Sequence, residues 1–148
     1  MTGDPDRQRN RVYAWEERFV APRDPSAIAF NKAQGVVSAI WGESGLHFPP
    51  KVARLPHQSR STVADATRLL IRLPEVVSSW CLLHEIAHAM SSTHDGQGDG
   101  HGPVFMGLYA QLLVRYLRLP IDTLLPSLAA SGIEVEISAR PVFLDVSR

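Results

Sequence analysis

Apolar residues recur every three or four positions along much of the chain, a spacing that places them on one face of a helix. Ser26 has the character of an N-cap at the start of one such stretch. Pro74 and Glu75 suit the start of another, because proline is tolerated and acidic groups are favoured in a first turn. The pattern predicts short helices around 7–20 and over 121–131, and longer helices over 26–43, 75–91 and 103–118.

Short apolar or alternating runs between these helices are typical of strands. Residues 51–56 and 67–73 are predicted to pair as a hairpin through a turn at 57–60. Residues 133–137 alternate between apolar and acidic side chains and predict a half-exposed strand, and residues 142–146 predict another short one. The chain is therefore predicted to be an α+β protein in which helices pack on a small mixed or antiparallel sheet.

Length and composition are those of one ordinary globular domain. The chain has 148 residues, of which 45% are hydrophobic, and one cysteine, so an internal disulfide cannot hold the fold together. Residues 1–25 are polar and interrupted by proline, which predicts a partly ordered N-terminal segment, and residues 26–148 are expected to carry the domain. Because the sequence shows neither a secretion signal nor a long apolar stretch, we expect no membrane partner and a reducing, cytoplasmic location.

Charge is balanced overall but divided between neighbouring segments. The 15 basic and 15 acidic residues give a pI near 7.0, which excludes a generally basic protein that coats nucleic acid. Residues 51–72 nevertheless hold five basic side chains and one acidic, whereas residues 73–100 hold four acidic and none basic. Nucleic-acid association is one interpretation of the basic cluster, but a solvated face explains it more simply. The cluster consists of Lys51, Arg54, Arg60, Arg68 and Arg72.

The strongest chemical signal is the HExxH motif formed by His84, Glu85 and His88 within a predicted helix. Residues four apart share a helix face, so the two imidazoles can bind one metal ion together. We expect a single Zn²⁺ per chain, because a catalytic zinc takes three protein ligands and leaves one position open for water. Glu85, one position round the helix, would be the catalytic residue and would act as general base toward that water.

Two histidines compete for the position of third metal ligand. His94 gives the spacing HExxHxxxxxH, but Ser91 stands where a glycine turns the chain sharply after motifs of that kind. His101 comes just before Pro103 at the start of a predicted helix, and a ligand at the edge of a rigid helix is better preorganised than one within a loop. This reasoning favours His101 and leaves His94 as the alternative.

Other side chains are candidates for supporting roles. A metal-bound histidine usually donates its second ring N–H to a carboxylate or carbonyl, and Glu75, Asp95 and Asp99 are considered for that role, although turn formation explains the two aspartates more simply. Tyr109 is either an oxyanion-stabilising hydroxyl or, more simply, a core aromatic with its hydroxyl at the surface. Cys81 is either a fourth metal ligand or, as we favour, a small packed residue.

The HExxH motif together with residues 100–105 (Gly-His-Gly-Pro-Val-Phe) resembles the SprT-like zinc metallopeptidases, the group that includes the Spartan proteases, over about residues 62–118. The resemblance implies a zincin-like domain with the motif on its central helix, His101 as the third zinc ligand and the motif glutamate as general base. It also implies that the strand at 67–73 borders the cleft and accepts an extended peptide through main-chain hydrogen bonds. The zinc-ribbon cysteines of some members are missing from this sequence, so a role in DNA repair does not transfer.

Together these features predict a zinc-dependent metallohydrolase, most simply a metallopeptidase that acts on a peptide or protein substrate. Two alternatives stay open: a zinc-dependent hydrolase of amides or other small molecules, and a non-catalytic domain in which zinc only braces the fold. Closure of the metal by four protein ligands would favour the brace, whereas a fourth position open to water would favour an enzyme.

Overall fold

Helices and short strands occur in largely separate parts of the chain, with four strands in succession followed by three helices, which makes it an α+β protein. The computed structural model describes residues 6–56 and 64–142. The α-helices are α1 (Arg9–Trp15), α2 (Phe30–Glu43), α3 (Ser79–Met90), α4 (Pro103–Tyr116) and α5 (Ile121–Ala130). A π-helical turn (Glu16–Val20) and a 3₁₀ turn (Ala21–Arg23) continue α1. The strands are β1 (Ala27–Ala29), β2 (Lys51–Arg54), β3 (Asp65–Ala66), β4 (Leu70–Leu73) and β5 (Val76–Ser78).

The strands form two small sheets. β1 and β5 pair antiparallel, and a second sheet has the order β2-β4-β3. The hairpin predicted between residues 51–56 and 67–73 is wrong, because β2 runs parallel to β4. The antiparallel partner of β4 is instead β3. A tight turn joins the two strands, and in it the Thr67 N–H donates to the Leu70 carbonyl (2.8 Å). The predicted turn at residues 57–60 lies outside the described residues.

Two helices begin later than the periodicity predicts, because residues ahead of each are taken into a strand. The helix predicted over 26–43 begins at Phe30 and the one over 75–91 at Ser79. The preceding residues form β1 and β5, which pair with each other. Ser26, Pro74 and Glu75 therefore do not start helices.

In the C-terminal half the predicted helices form, but the strand predicted over 133–137 does not. α4 and α5 confirm the helices predicted over 103–118 and 121–131. No strand forms over 133–137, where the Glu136 N–H donates to the Pro103 carbonyl (3.0 Å) instead of to a neighbouring strand. Of the strand predicted at 142–146, all but the first residue lies outside the described residues. No helix within 6–56 or 64–142 combines the length and hydropathy needed to cross a membrane.

Helix α3 lies at the centre of the core and packs most extensively on α4. Nine of its twelve residues are buried, so the helix is enclosed on nearly all sides rather than on a single apolar face. Its neighbours contribute the largest fully buried side chains, including Trp15, Trp41, Phe105 and Tyr109. A motif on this helix is therefore held rigidly by packing.

The described part of the N-terminal segment packs on the rest of the molecule. Trp15 is fully buried, and its indole N–H donates to the Ser127 hydroxyl of α5 (2.9 Å). The Asp24 carboxylate accepts the backbone N–H of Trp80 (2.9 Å) in the first turn of α3, where the helix dipole favours a negative charge. The segment thus contacts the start of the helix that carries the HExxH motif.

Replacing Gly107 of α4 with alanine is expected to destabilise the fold severely. A Cβ at this position would lie 1.7 Å from the carbonyl oxygen of Glu136, so the segment that crosses α4 would have to move away. We expect the free energy of unfolding to fall by at least about 3 kcal/mol, measured by chemical denaturation. The control is Gly35→Ala in α2, where nothing lies within 4 Å of the new methyl group and a gain of up to about 1 kcal/mol is expected. Equal stability of the two variants would contradict the close approach of the Glu136 segment to α4.

Candidate metal centre

Three histidines converge on one point beside α3. His84 and His88 lie one turn apart on α3, and His101 lies two residues before the first turn of α4. The His101 Nε2 atom is 3.1 Å from His88 Nε2 and 3.3 Å from His84 Nε2. Two nitrogens bound to one tetrahedral zinc at about 2.05 Å lie roughly 3.3 Å apart, so these two distances fit a single ion, and all three ligand atoms lie within 4.8 Å of one another. The three side chains are close enough to bind a metal ion together.

The carboxylates that contact two of these rings also suit a cation site. The Nδ1 atom of His84 lies 2.5 Å from Glu16 Oε2, and that of His101 lies 2.9 Å from Asp6 Oδ2. An ionised carboxylate only accepts hydrogen bonds, so when both carboxylates are ionised each ring carries its proton on Nδ1. In that state the two Nε2 lone pairs face each other at 3.3 Å, and a positive ion between them would remove their repulsion.

Burial keeps His84 and His88 in the neutral form that binds metals. His84 and His101 are each 5% exposed. Loss of solvation, followed by the nearby His101, lowers the pKa of His84 to about 3, and burial likewise holds the pKa of His88 well below its ordinary value. Phe105 supports the rings, because its own ring stacks on His88 with 4.2 Å between centroids.

Glu85 follows His84 on α3 and carries a buried carboxylate. It is 5% exposed, and its Oε1 atom is buried without a hydrogen-bond partner in the part of the chain that the structure describes. Burial, with smaller contributions from Asp65 and Glu16, raises the pKa of Glu85 to about 8. A buried carboxylate oxygen without a partner is costly unless a water molecule, a substrate or a cation meets it. The neighbouring histidine cluster provides a reason for leaving that oxygen free.

No protein-family model, curated protein or solved structure matches this chain. Its function must therefore be inferred from the chemistry of these side chains.

The carboxylates that contact the histidines differ from the three that the sequence suggested. Glu75 pairs with Arg54, and Asp95 is exposed in the loop beside Thr93. Asp99 caps α4 by accepting the backbone N–H groups of Val104 (2.8 Å) and Phe105 (3.2 Å). The carboxylates that do contact the rings are Asp6 and Glu16, both in the segment predicted to be partly ordered.

A signal for Glu16 was present in the sequence. Val12, Trp15 and Phe19 form an apolar helical stripe, and Glu16 lies within that stripe rather than opposite it. All four residues are buried. An acidic residue inside an apolar stripe needs a partner, and here the partner is a metal-site histidine.

Tyr109 is a core aromatic, as the simpler of its two interpretations expects, but its hydroxyl does not lie at the surface. Its side chain is fully buried, and its hydroxyl donates to Glu16 Oε2 (2.7 Å). Burial, followed by the charge of Glu16, raises the tyrosine pKa well above its ordinary value, so the hydroxyl keeps its proton. Burial raises the pKa of Glu16 and the hydrogen bond from Tyr109 lowers it, and because burial has the larger effect the pKa is about 7. Tyr109 thus supports the carboxylate that contacts His84.

Neither alternative ligand joins the cluster. His94 is exposed in the loop after α3, and the group of possible ligands in residues 6–56 and 64–142 does not include it. Cys81 is buried, and loss of solvation raises the pKa of its thiol, which favours the packed role over a thiolate ligand. His101 is therefore the histidine that the fold brings to the HExxH pair.

Glycines on both sides of His101 make room for carboxylates. Gly100 has a φ of +63°, and a Cβ there would lie 2.8 Å from Asp6 Cγ. A Cβ on Gly102 would lie 2.6 Å from Asp99 Oδ2. The Gly-His-Gly sequence is thus explained by two close approaches, one to the carboxylate that contacts His101 and one to the cap of α4.

The surroundings of the site alter two further expectations. β4, within the segment 67–73, lies in the middle of its sheet, so it cannot accept an extended peptide, whereas β3 is an edge strand that contacts α3. The described members of the basic cluster do not form one free patch. Arg72 pairs with Asp65 (2.5 Å), Arg54 pairs with Glu75, and Arg68 is buried over the Trp41 ring.

Proposed function

We propose that the protein is a zinc-dependent metallohydrolase and, most simply, a metallopeptidase. The observation that carries this proposal is the convergence of three imidazole nitrogens, together with the buried Oε1 of Glu85, which has no hydrogen-bond partner among the described residues. Three histidines suit zinc, and a catalytic zinc keeps one position for water or substrate. The resemblance of the HExxH and Gly-His-Gly segments to SprT-like peptidases supports the same activity.

Each side chain has a defined role in this proposal. The Nε2 atoms of His84, His88 and His101 would hold the ion, which would supply a Lewis acid that lowers the pKa of a water molecule and polarises a carbonyl group. Glu85 takes a proton from the attacking water at Oε1 and returns it to the nitrogen of the leaving amine as the C–N bond breaks. Burial of the carboxylate strengthens the first transfer, because its basicity is higher than that of an exposed glutamate.

A peptide substrate is supported by the position of β3. This strand forms one edge of the three-stranded sheet and contacts α3. Its first residue, Asp65, lies near enough for its charge to raise the pKa of Glu85. An extended peptide that pairs with β3 would therefore run beside the catalytic carboxylate.

The enclosure of the site favours a second candidate. His84, Glu85 and His101 are each only 5% exposed, and the ring of Tyr13 lies 5.1 Å from that of His101. A small amide substrate, or a zinc ion that only braces the fold, requires less access than a polypeptide chain. Substrate size distinguishes a peptidase from a hydrolase of small amides. Access of water to the metal distinguishes either enzyme from a structural brace.

Removal of the metal is expected to abolish hydrolysis reversibly. The purified protein would be incubated with an unfolded protein, a peptide library and a panel of small amides, with and without 1,10-phenanthroline. We expect amide-bond cleavage that the chelator stops and one equivalent of zinc restores, with product masses that show addition of one water. Cleavage that survives complete metal removal would contradict the proposal. Bound zinc with no hydrolysis of any substrate would favour the brace.

A further inference from the structure

The N-terminal segment binds the third metal ligand from three directions. Asp6 Oδ1 accepts the backbone N–H of His101 (2.9 Å), and Asp6 Oδ2 lies 2.9 Å from its ring Nδ1. The Gln8 side chain donates to the His101 carbonyl (2.9 Å). Both the backbone and the ring of this histidine are therefore fixed by residues more than ninety positions earlier in the chain.

We propose that Asp6 is a positioning residue of the metal site, which holds His101 in the tautomer with its proton on Nδ1 and so directs the Nε2 lone pair to the ion. The proposal rests on the metal site of the proposed function but not on the hydrolytic reaction. A ligand whose second nitrogen is bound to a carboxylate is both oriented and made more basic.

The backbone of His101 determines which way the Asp6 side chain can face. A backbone N–H is a donor that cannot reverse, so the side-chain atom facing it must be an acceptor. Oδ1 occupies that position, which leaves Oδ2 for the ring. Gly100 makes this approach possible, because a Cβ there would lie 2.8 Å from Asp6 Cγ.

Asparagine at position 6 would force the wrong tautomer. Its carbonyl oxygen must face the His101 N–H, so its amide N–H₂ faces Nδ1 and requires a lone pair there. The ring proton then moves to Nε2, the atom that must bind the metal. Alanine removes the carboxylate but lets water satisfy Nδ1, so the productive tautomer stays accessible. Asp6→Asn should therefore bind metal less tightly than Asp6→Ala, although asparagine is the closer mimic of aspartate.

The stability of the metal-free protein should follow the opposite order. Asp6→Asn keeps the hydrogen bond to the His101 backbone, whereas Asp6→Ala loses it. A purely structural role for Asp6 would make alanine the more damaging substitution in both measurements. Tautomer control therefore predicts that Asp6→Ala binds zinc more tightly than Asp6→Asn, although its metal-free form is the less stable of the two.

The test is a zinc competition titration against a chromogenic chelator, combined with chemical denaturation of each metal-free variant. We expect zinc affinity to fall about 10-fold in Asp6→Ala and at least about 100-fold in Asp6→Asn. Glu17→Gln, an exposed change in the same segment, should leave affinity unchanged. The ¹⁵N spectrum of the zinc-loaded wild-type imidazoles should show His101 protonated at Nδ1.

Gly100→Ala offers a second route to the same effect, because it displaces the Asp6 carboxylate without removing it. It should weaken zinc binding by about as much as Asp6→Ala. Wild-type affinity in Asp6→Asn, or a weaker affinity in Asp6→Ala than in Asp6→Asn, would overturn the proposal while leaving the hydrolase intact. The expected order of affinities in a protein that hydrolyses nothing would support Asp6 and contradict the enzyme.

Discussion

Replacing His101 with alanine is expected to remove the metal ion, whereas replacing His94 with alanine is not. The Nε2 atom of His101 lies within 3.3 Å of both α3 histidine nitrogens, and loss of one of three ligands leaves a pair that holds zinc weakly. We expect zinc affinity to fall by more than the roughly 100-fold that a supporting residue can cost. Metal content after gel filtration, measured by elemental analysis, gives the result directly.

The matched variants make this result specific to the site. His94 is exposed in the preceding loop, so His94→Ala should retain one zinc per chain and wild-type stability. Circular dichroism of both proteins separates loss of metal from loss of fold. Equal zinc content in wild type and His101→Ala, with zinc lost from His94→Ala, would reverse the assignment of the third ligand.

The three clustered histidines could be predicted from the sequence because each is positioned by a local element. His84 and His88 lie one helical turn apart, so any helix over this segment places them together. His101 was favoured because Pro103 starts a helix, and α4 does begin at that residue. Helix formation over these segments is dictated by residues close in sequence, which is the information that a periodic pattern contains.

The supporting carboxylates could not be found in the same way. Asp6 is 95 positions from His101, and Glu16 is 68 positions from His84. No periodicity links residues so far apart, and the abundance of polar side chains in the first 25 residues favoured a partly ordered segment. The N-terminal segment is instead held against the rest of the molecule by the buried residues of α1 and by its contacts to both histidines.

The strand errors have a related cause. Val76 and Val77 precede a helical stretch and share its apolar character, so periodicity alone extends the helix to include them. Their pairing with residues 27–29 depends on the long-range approach of another segment. The β-branched side chains favour the strand once that partner is present.

Replacing Glu85 with glutamine is expected to abolish hydrolysis and leave the metal in place. The amide keeps the size of the carboxylate but cannot take a proton from water, and general acid–base catalysis of this kind contributes about 10²- to 10⁴-fold. The three histidine nitrogens are unchanged, so zinc content should match the wild type. Initial rates on a substrate identified by the chelation experiment, together with elemental analysis, test both parts.

The control for this substitution is Glu134→Gln, which makes the same chemical change at an exposed position. Its hydrolysis rate should equal that of the wild type. The unpartnered Oε1 makes a further distinction possible, because removal of a buried carboxylate's charge should raise, not lower, the stability of the metal-free protein. A Glu85→Gln protein that is more stable without metal, fully loaded with zinc and inactive would fit only a catalytic role. Wild-type rates in this variant would exclude Glu85 as the general base.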